Sequence, residues 1–213
     1  VDFKPRDAGQ FQALSEEIDQ ELITALQQLA DLELFSVDQV ASIRRRIDIV
    51  DLAHAGDVLK TAGIIYEGVP ETLEAKRDAL KRICEGAPDT AIIASTTSTM
   101  LASELAGMVT HPQRFMNAHW LNPAYVIPLV EISAHDQTSG EALDALKESL
   151  TGIGKVPVQC ACSPGFIVPR LQTLIMNEAA RMVEEGVATV EEIDRATRYG
   201  LGFRFASIGV LEF

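Results

Sequence analysis

Residues 62–100, AGIIYEGVPETLEAKRDALKRICEGAPDTAIIASTTSTM, hold strand, turn, helix and strand in one passage. Ala62–Tyr66 and Ala91–Ala94 are short apolar runs, and a helix is expected from Glu71 to about Cys84. A further helix is expected near Met100–Met108. Elements alternating at this pitch read as parallel βαβ units. Strands that are apolar throughout, rather than alternating, suit a sheet covered by helices on both faces.

Working outward, Val1-Asp2-Phe3 reads as the tail of a strand. Residues 11, 14, 18, 22, 26 and 29 are apolar at helical spacing, with acids between them. Ser36-Val-Asp-Gln39 is a capping-box pattern opening a short helix, and Arg44-Arg45-Arg46 ends it with charges that suit a helix C-terminus. Ile47–Val50 reads as one more short strand. Beyond Pro112, residues 115–120 and 126–133 are strands, and Thr138–Glu141 is a capping box for a helix to about Leu150. Val156–Val158 is a strand. Ser163-Pro-Gly-Phe166 opens a long helix with Leu171, Leu174, Ile175, Ala179, Met182 and Val183 on one face. Glu178 on that stripe reads as a partnered acid at a helix–helix contact. Thr189 caps a last helix. The expected architecture is α/β over residues 1–162 and all-α over 163–213, with both ends of the chain cut.

An apolar content of 47% is enough for a real core, and a net charge of −13 opposes a general nucleic-acid or anionic-membrane binder. No apolar run reaches the roughly 20 residues of a membrane span. Cys84, Cys160 and Cys162 form neither a disulfide framework nor a spaced metal motif, and read as structural thiols in a reducing cytosol.

Four groups of residues carry possible chemistry. In 114-RFMNAHWLNPAYVIPLVEIS-133, His119 and Glu131 are symmetric about Tyr125, so a reversal centred there makes them cross-strand neighbours. A carboxylate on one ring nitrogen fixes the tautomer and raises basicity at the other, which is a general-base dyad. The plainer reading is a core histidine tied to an acid. The hydroxyls of 94-ASTTSTM-100 sit where open α/β sheets bind ligands, and Ser98 serves either as a helix cap or as a ligand donor. Asp2 stands where a ribose-binding acid would, without a glycine-rich turn before it. Lys4 and Arg6 beside it leave NAD and NADP open. Glu71 and Lys76 read as a first-turn acid suiting the helix dipole and a solvated lysine.

Taken together, Val69-Pro-Glu71 with Lys76, 95-STTST-99, 119-HWLNPAYVIPLVE-131, 163-SPGFIVPR-170 and 177-NEAARMVEEGVATVEEID-194 resemble the L-3-hydroxyacyl-CoA dehydrogenase family. The resemblance implies a doubly wound Rossmann-like domain with a mainly parallel sheet that binds NAD. A helical domain then closes over the substrate and forms a homodimer. It implies His119 as catalytic base, Glu131 as the acid orienting it, and Ser98 on the substrate oxygen and nicotinamide side. Val69, Glu71, Lys76 and Asn122 match cofactor contacts, and Asp2 the ribose acid. The implied reaction oxidises the 3-hydroxyl of an acyl-CoA like 3-hydroxybutyryl-CoA to the 3-keto form, with a small hydroxy acid oxidised without CoA, or a relative that binds without catalysis, as alternatives; the implied location is cytoplasmic.

Two positions depart from the family pattern. Pro169 replaces the Asn of a Val-Asn-Arg triplet, removing a donor near the substrate oxygen. Thr96 replaces a common Asn. His119-Trp120 in place of His-Phe is similar to divergent branches that include carnitine dehydrogenase and the gulonate dehydrogenase/λ-crystallin group. These oxidise small polar alcohols without CoA. With the first strand and its glycine turn expected to be missing, the chain by itself is expected to bind NAD weakly.

Overall fold

The computed structural model describes residue 1 and residues 4–212, so Asp2 and Phe3, with the strand tail and ribose contact expected of them, lie outside the described residues. Five strands form one sheet in the order β1-β2-β3-β4-β5: β1 Ile64–Glu67, β2 Ile92–Ser95, β3 Phe115–Trp120, β4 Leu129–Ser133 and β5 Val156–Cys160. The pairs β1–β2, β2–β3 and β4–β5 are parallel, while β3–β4 is antiparallel. The chain thus reverses once, at residues 121–128.

Helices α1 (Ala8–Asp31), α2 (Val40–Arg44) and α3 (Ala55–Leu59) precede the sheet. Helices α4 (Leu73–Gly86), α5 (Ala102–Ala106) and α6 (Gly140–Gly152) alternate with its strands. Alternate strand residues point to opposite faces, and each face has its own core. Ile92, Ala94, Met116, Ala118, Val130 and Ile132 pack on Ala142, Leu146 and Leu150 of α6. Ile93 and Phe115 pack on Leu80 and Ile83 of α4 and on Ala102, Leu105 and Ala106 of α5. Burying each large aliphatic side chain contributes about 1.5–3 kcal/mol. By the same alternation, His119 and Glu131 lie on the α4/α5 side.

Several boundaries differ from the sequence reading for local reasons. Ile47–Val50 is not a strand: the Ile47 amide donates to the Arg44 carbonyl (3.1 Å) and its carbonyl accepts from the Arg44 guanidinium (2.5 Å), so its backbone closes off α2. Helix α4 starts at Leu73 because Thr72, not Glu71, takes the Ala75 amide (3.2 Å) as cap. Helix α6 is capped by Ser139 through the Ala142 amide (3.1 Å), whereas the Thr138 hydroxyl donates to the Phe115 carbonyl (3.0 Å).

The last part of the chain is helical, with α7 (Val168–Glu184) and α8 (Val190–Ala196), the latter capped by Thr189. Ile193 of α8 is buried between them. Much of the α7 apolar stripe is open: Leu174 is 68% exposed. Glu178, read from sequence as partnered, is exposed and makes no ion pair among the described residues. It lines a cavity of about 390 Å³ with Ile175, Met182 and Ile193.

Candidate active site

Because β3 and β4 run antiparallel in the register His119↔Glu131, the imidazole and carboxylate share one face of the sheet as direct neighbours. Nδ1 of His119 lies 2.9 Å from Oε2 of Glu131. Both residues are buried, His119 at 6% exposure and Glu131 at 0%. The other carboxylate oxygen, Oε1, accepts the backbone amides of Ile167 (2.9 Å) and Val168 (2.8 Å) at the start of α7. An ionised carboxylate can only accept, so paired with one the imidazole carries its hydrogen on Nδ1. Nε2 has no hydrogen bond to any described residue. The Phe166 ring lies on the imidazole face, with centroids 4.7 Å apart and planes at 16°.

The pair sits at the end of the sheet where β1, β2 and β3 all finish. Ser98 follows the tip of β2 there. Its hydroxyl makes no hydrogen bond among the described residues, while its amide donates to Glu71 Oε1 (2.9 Å). Glu71 also accepts from the hydroxyls of Thr97 (2.7 Å) and Thr99 (3.4 Å). Partial burial works to raise the Glu71 pKa, but the Thr97 and Ser98 hydrogen bonds and the nearby Lys76 charge outweigh it. The net result holds the carboxyl below its ordinary value.

Lys76 is not the solvated lysine of the plainer sequence reading. It is 1% exposed, and its ammonium donates to Glu67 Oε1 (3.0 Å) and to the Val69 carbonyl (3.1 Å). Glu67, which the sequence reading passed over, is buried at the tip of β1 and also accepts from the Ser95 hydroxyl (2.6 Å) and the Val69 amide (2.7 Å). The one cue was an acid ending an apolar strand. Asn122 is exposed in the β3–β4 loop. Lys155 braces that loop by donating to the carbonyls of Ala124 (2.6 Å) and Ile127 (2.8 Å). Pro169 occupies the first turn of α7, where proline fits and donates nothing.

The larger concavities lie away from the dyad. One of about 630 Å³ is formed by α1 and Tyr125, and one of about 550 Å³ by Lys4, Arg6, Tyr66, Gly68 and Val69 beside β1. The dyad, and not cavity size, marks the candidate site. Burial and the Glu131 charge push the Cys160 thiol up, away from thiolate chemistry. Among the described residues no cluster of His, Cys, Asp and Glu could hold a metal ion, and no helix is long and apolar enough to cross a membrane.

Two family models match in succession: the NAD binding domain of 3-hydroxyacyl-CoA dehydrogenase over residues 6–163, and its C-terminal domain over residues 165–213. The chain belongs to the 3-hydroxyacyl-CoA dehydrogenase family. Its fold is accordingly Rossmann-like with a helical C-terminal part. An L-carnitine dehydrogenase of Pseudomonas putida is 41% identical over 154 residues, 72% of this chain and 48% of that protein. The mitochondrial hydroxyacyl-coenzyme A dehydrogenase of Homo sapiens is 33% identical over 75% of this chain and 51% of its own length. The structure of 3-hydroxybutyryl-CoA dehydrogenase from Escherichia coli superposes with a TM-score of 0.78 at 29% identity, covering 92% of this chain and 40% of that one. The chain thus spans about half the length of the curated relatives it matches.

The dinucleotide of this family is NAD. The tips of β1 and β2, at the end of the sheet where this fold binds ligands, could hold such a group. Gly68 has no side chain there, and a Cβ would come within 3.4 Å of the Thr96 hydroxyl. The free Ser98 hydroxyl stands on the neighbouring tip.

Proposed function

We propose that this chain carries the reacting groups of an NAD-dependent dehydrogenase that oxidises a 3-hydroxyl to a 3-ketone. One observation carries the reading: a buried imidazole with Nδ1 pinned by Glu131 and Nε2 unengaged, at the strand tips where this fold binds ligands. His119 Nε2 takes the hydroxyl proton. Glu131 holds the ring in the tautomer that can accept it and stabilises the charge that forms. Ser98 donates to the substrate oxygen. NAD, when bound, accepts the hydride that leaves the hydroxyl-bearing carbon. Val69, Glu71 and Asn122 would hold it, with Lys76 acting beneath them by holding the Val69 carbonyl.

The substrate is a 3-hydroxyacyl thioester or a small 3-hydroxy acid. One observation favours the second, without CoA. The L-carnitine dehydrogenase match is stronger than the hydroxyacyl-coenzyme A dehydrogenase match (41% against 33% identity). Residues 1–162 then form the cofactor domain and 163–213 belong to the substrate and dimer domain, where exposed Leu174 and Met176 suit a second copy. Three unpaired cysteines fit a reducing cytoplasm.

The test is NADH formation by the full-length protein and its His119→Ala variant with 3-hydroxybutyryl-CoA, carnitine and gulonate. We expect one of these to be turned over, and the variant to lose about 10²–10⁴ in rate. Turnover unchanged in the variant defeats the assignment. NADH binding without any turnover favours a relative that kept the fold and lost the chemistry.

A further inference from the structure

We infer that Phe166 is a positioning residue for the His119 imidazole, held on its face by a strained backbone turn. The inference rests on the functional reading above for its consequence, and on geometry for its substance. A single hydrogen bond at Nδ1 leaves the imidazole free to swing about the Nδ1–Oε2 line, because the last histidine torsion is broad and weakly restrained. A flat group stacked on the ring face removes that freedom. Phe166 supplies one, at 4.7 Å and 16°.

The ring does not get there by ordinary packing. Phe166 is 7% exposed, yet it belongs to neither core of the sheet. Its φ is +46°, directly after Gly165 at +79°. The left-handed region suits glycine but is unfavourable for a residue with a Cβ. Strain of this kind persists where the surroundings demand it, commonly at functional sites. Here the same two residues turn the chain so that the next two amides, Ile167 and Val168, meet Glu131. The turn is closed by the Arg170 amide on the Gly165 carbonyl (3.0 Å). One turn therefore sets both partners of the base: its carboxylate through two amides, its ring plane through Phe166.

The experiment compares Phe166→Leu, which keeps apolar bulk and removes the flat ring, with Phe166→Tyr, which keeps the ring. Two quantities are read: kcat and KM with whichever alcohol the protein oxidises, and the exchange rate of the His119 Nδ1 proton with water by NMR. For Phe166→Leu we expect kcat to fall about 10- to 100-fold, with the KM for NAD within about two-fold. The Nδ1 proton should exchange at least about ten times faster, and Phe166→Tyr should restore both. Should Phe166→Leu fail to fold, Phe166→Met makes the same comparison. Exchange and kcat both within about two-fold of the parent overturn the proposal. If the parent oxidises none of the alcohols, the functional reading has failed and the exchange rate alone decides the role of Phe166.

Discussion

Two buried carboxylates of the sheet take opposite parts. Glu67, at the tip of β1, accepts from the Lys76 ammonium, the Ser95 hydroxyl and the Val69 amide. Glu131, in β4, accepts from the His119 ring and the Ile167 and Val168 amides. Each thus has three protein donors, as a carboxylate out of water requires. The difference lies in what stands behind the donors. Lys76 has one nitrogen, already spent on Glu67 and a backbone carbonyl, so the Glu67 cluster is closed. His119 has a second nitrogen facing away from its carboxylate, so the Glu131 cluster ends in a group that can take up a proton. The first arrangement secures a strand tip; the second delivers chemistry to it.

The sharpest way to break this contrast is Glu131→Gln. A glutamine has one acceptor oxygen where the carboxylate had two. If that oxygen stays with the Ile167 and Val168 amides, the –NH₂ group faces Nδ1–H, and the imidazole must move its hydrogen to Nε2. The base then becomes a donor. An analogous carboxylate-to-amide change in serine proteases lowers kcat by about 10⁴ through the wrong tautomer. We expect a loss of about 10³–10⁴ in kcat here, read by NADH formation, with the fold retained by circular dichroism. Activity within about ten-fold of the parent would mean that Glu131 serves α7 alone.

Lys76→Met tests the other side. It leaves Glu67 buried with two neutral donors, and breaking a buried ion pair by removing one partner costs about 3–5 kcal/mol. We expect that loss in urea unfolding, without a matching fall in kcat at saturating NAD for the molecules that remain folded. The opposite result, unchanged stability with a raised KM for NAD, would make Lys76 a direct cofactor contact and Glu67 an incidental partner.

The contrast also explains what could be read beforehand. His119 and Glu131 were legible because a hairpin turns a sequence interval into a register, and Asn122-Pro123 marks the reversal. Parallel βαβ order was legible from apolar runs separated by a helical pattern. Glu67 and Lys76 were not, since a nine-residue interval across strand, loop and helix fixes no distance until the tertiary structure buries both. Ile47–Val50 looked like a strand because its residues suit one, but its backbone is spent on α2. The stacking of Phe166 depends on a left-handed backbone at a residue with a Cβ, for which no local pattern exists.

Glu71 supplies a third carboxylate that places the other two on a scale. It is exposed, and its hydrogen bonds hold the 97–99 loop, with Ser98 in it, against the start of α4. Its pKa is depressed in the folded protein. A depressed carboxyl contributes stability that is fully present above its unfolded value and is lost as the pH falls through the folded one. The contribution is therefore intact at neutral pH and disappears on the acid side of the ordinary carboxylate range. Exposure to solvent keeps it small, about 0.5–1 kcal/mol for the hydrogen bonds involved. The stability gap between the parent and Glu71→Gln should have that size at pH 7 and shrink toward zero in acid, by urea unfolding at each pH. A gap that grows in acid would reverse the sign and remove Glu71 from the series. A gap of several kcal/mol at pH 7 would rank it with Glu67 as a structural anchor, not as a loop clasp.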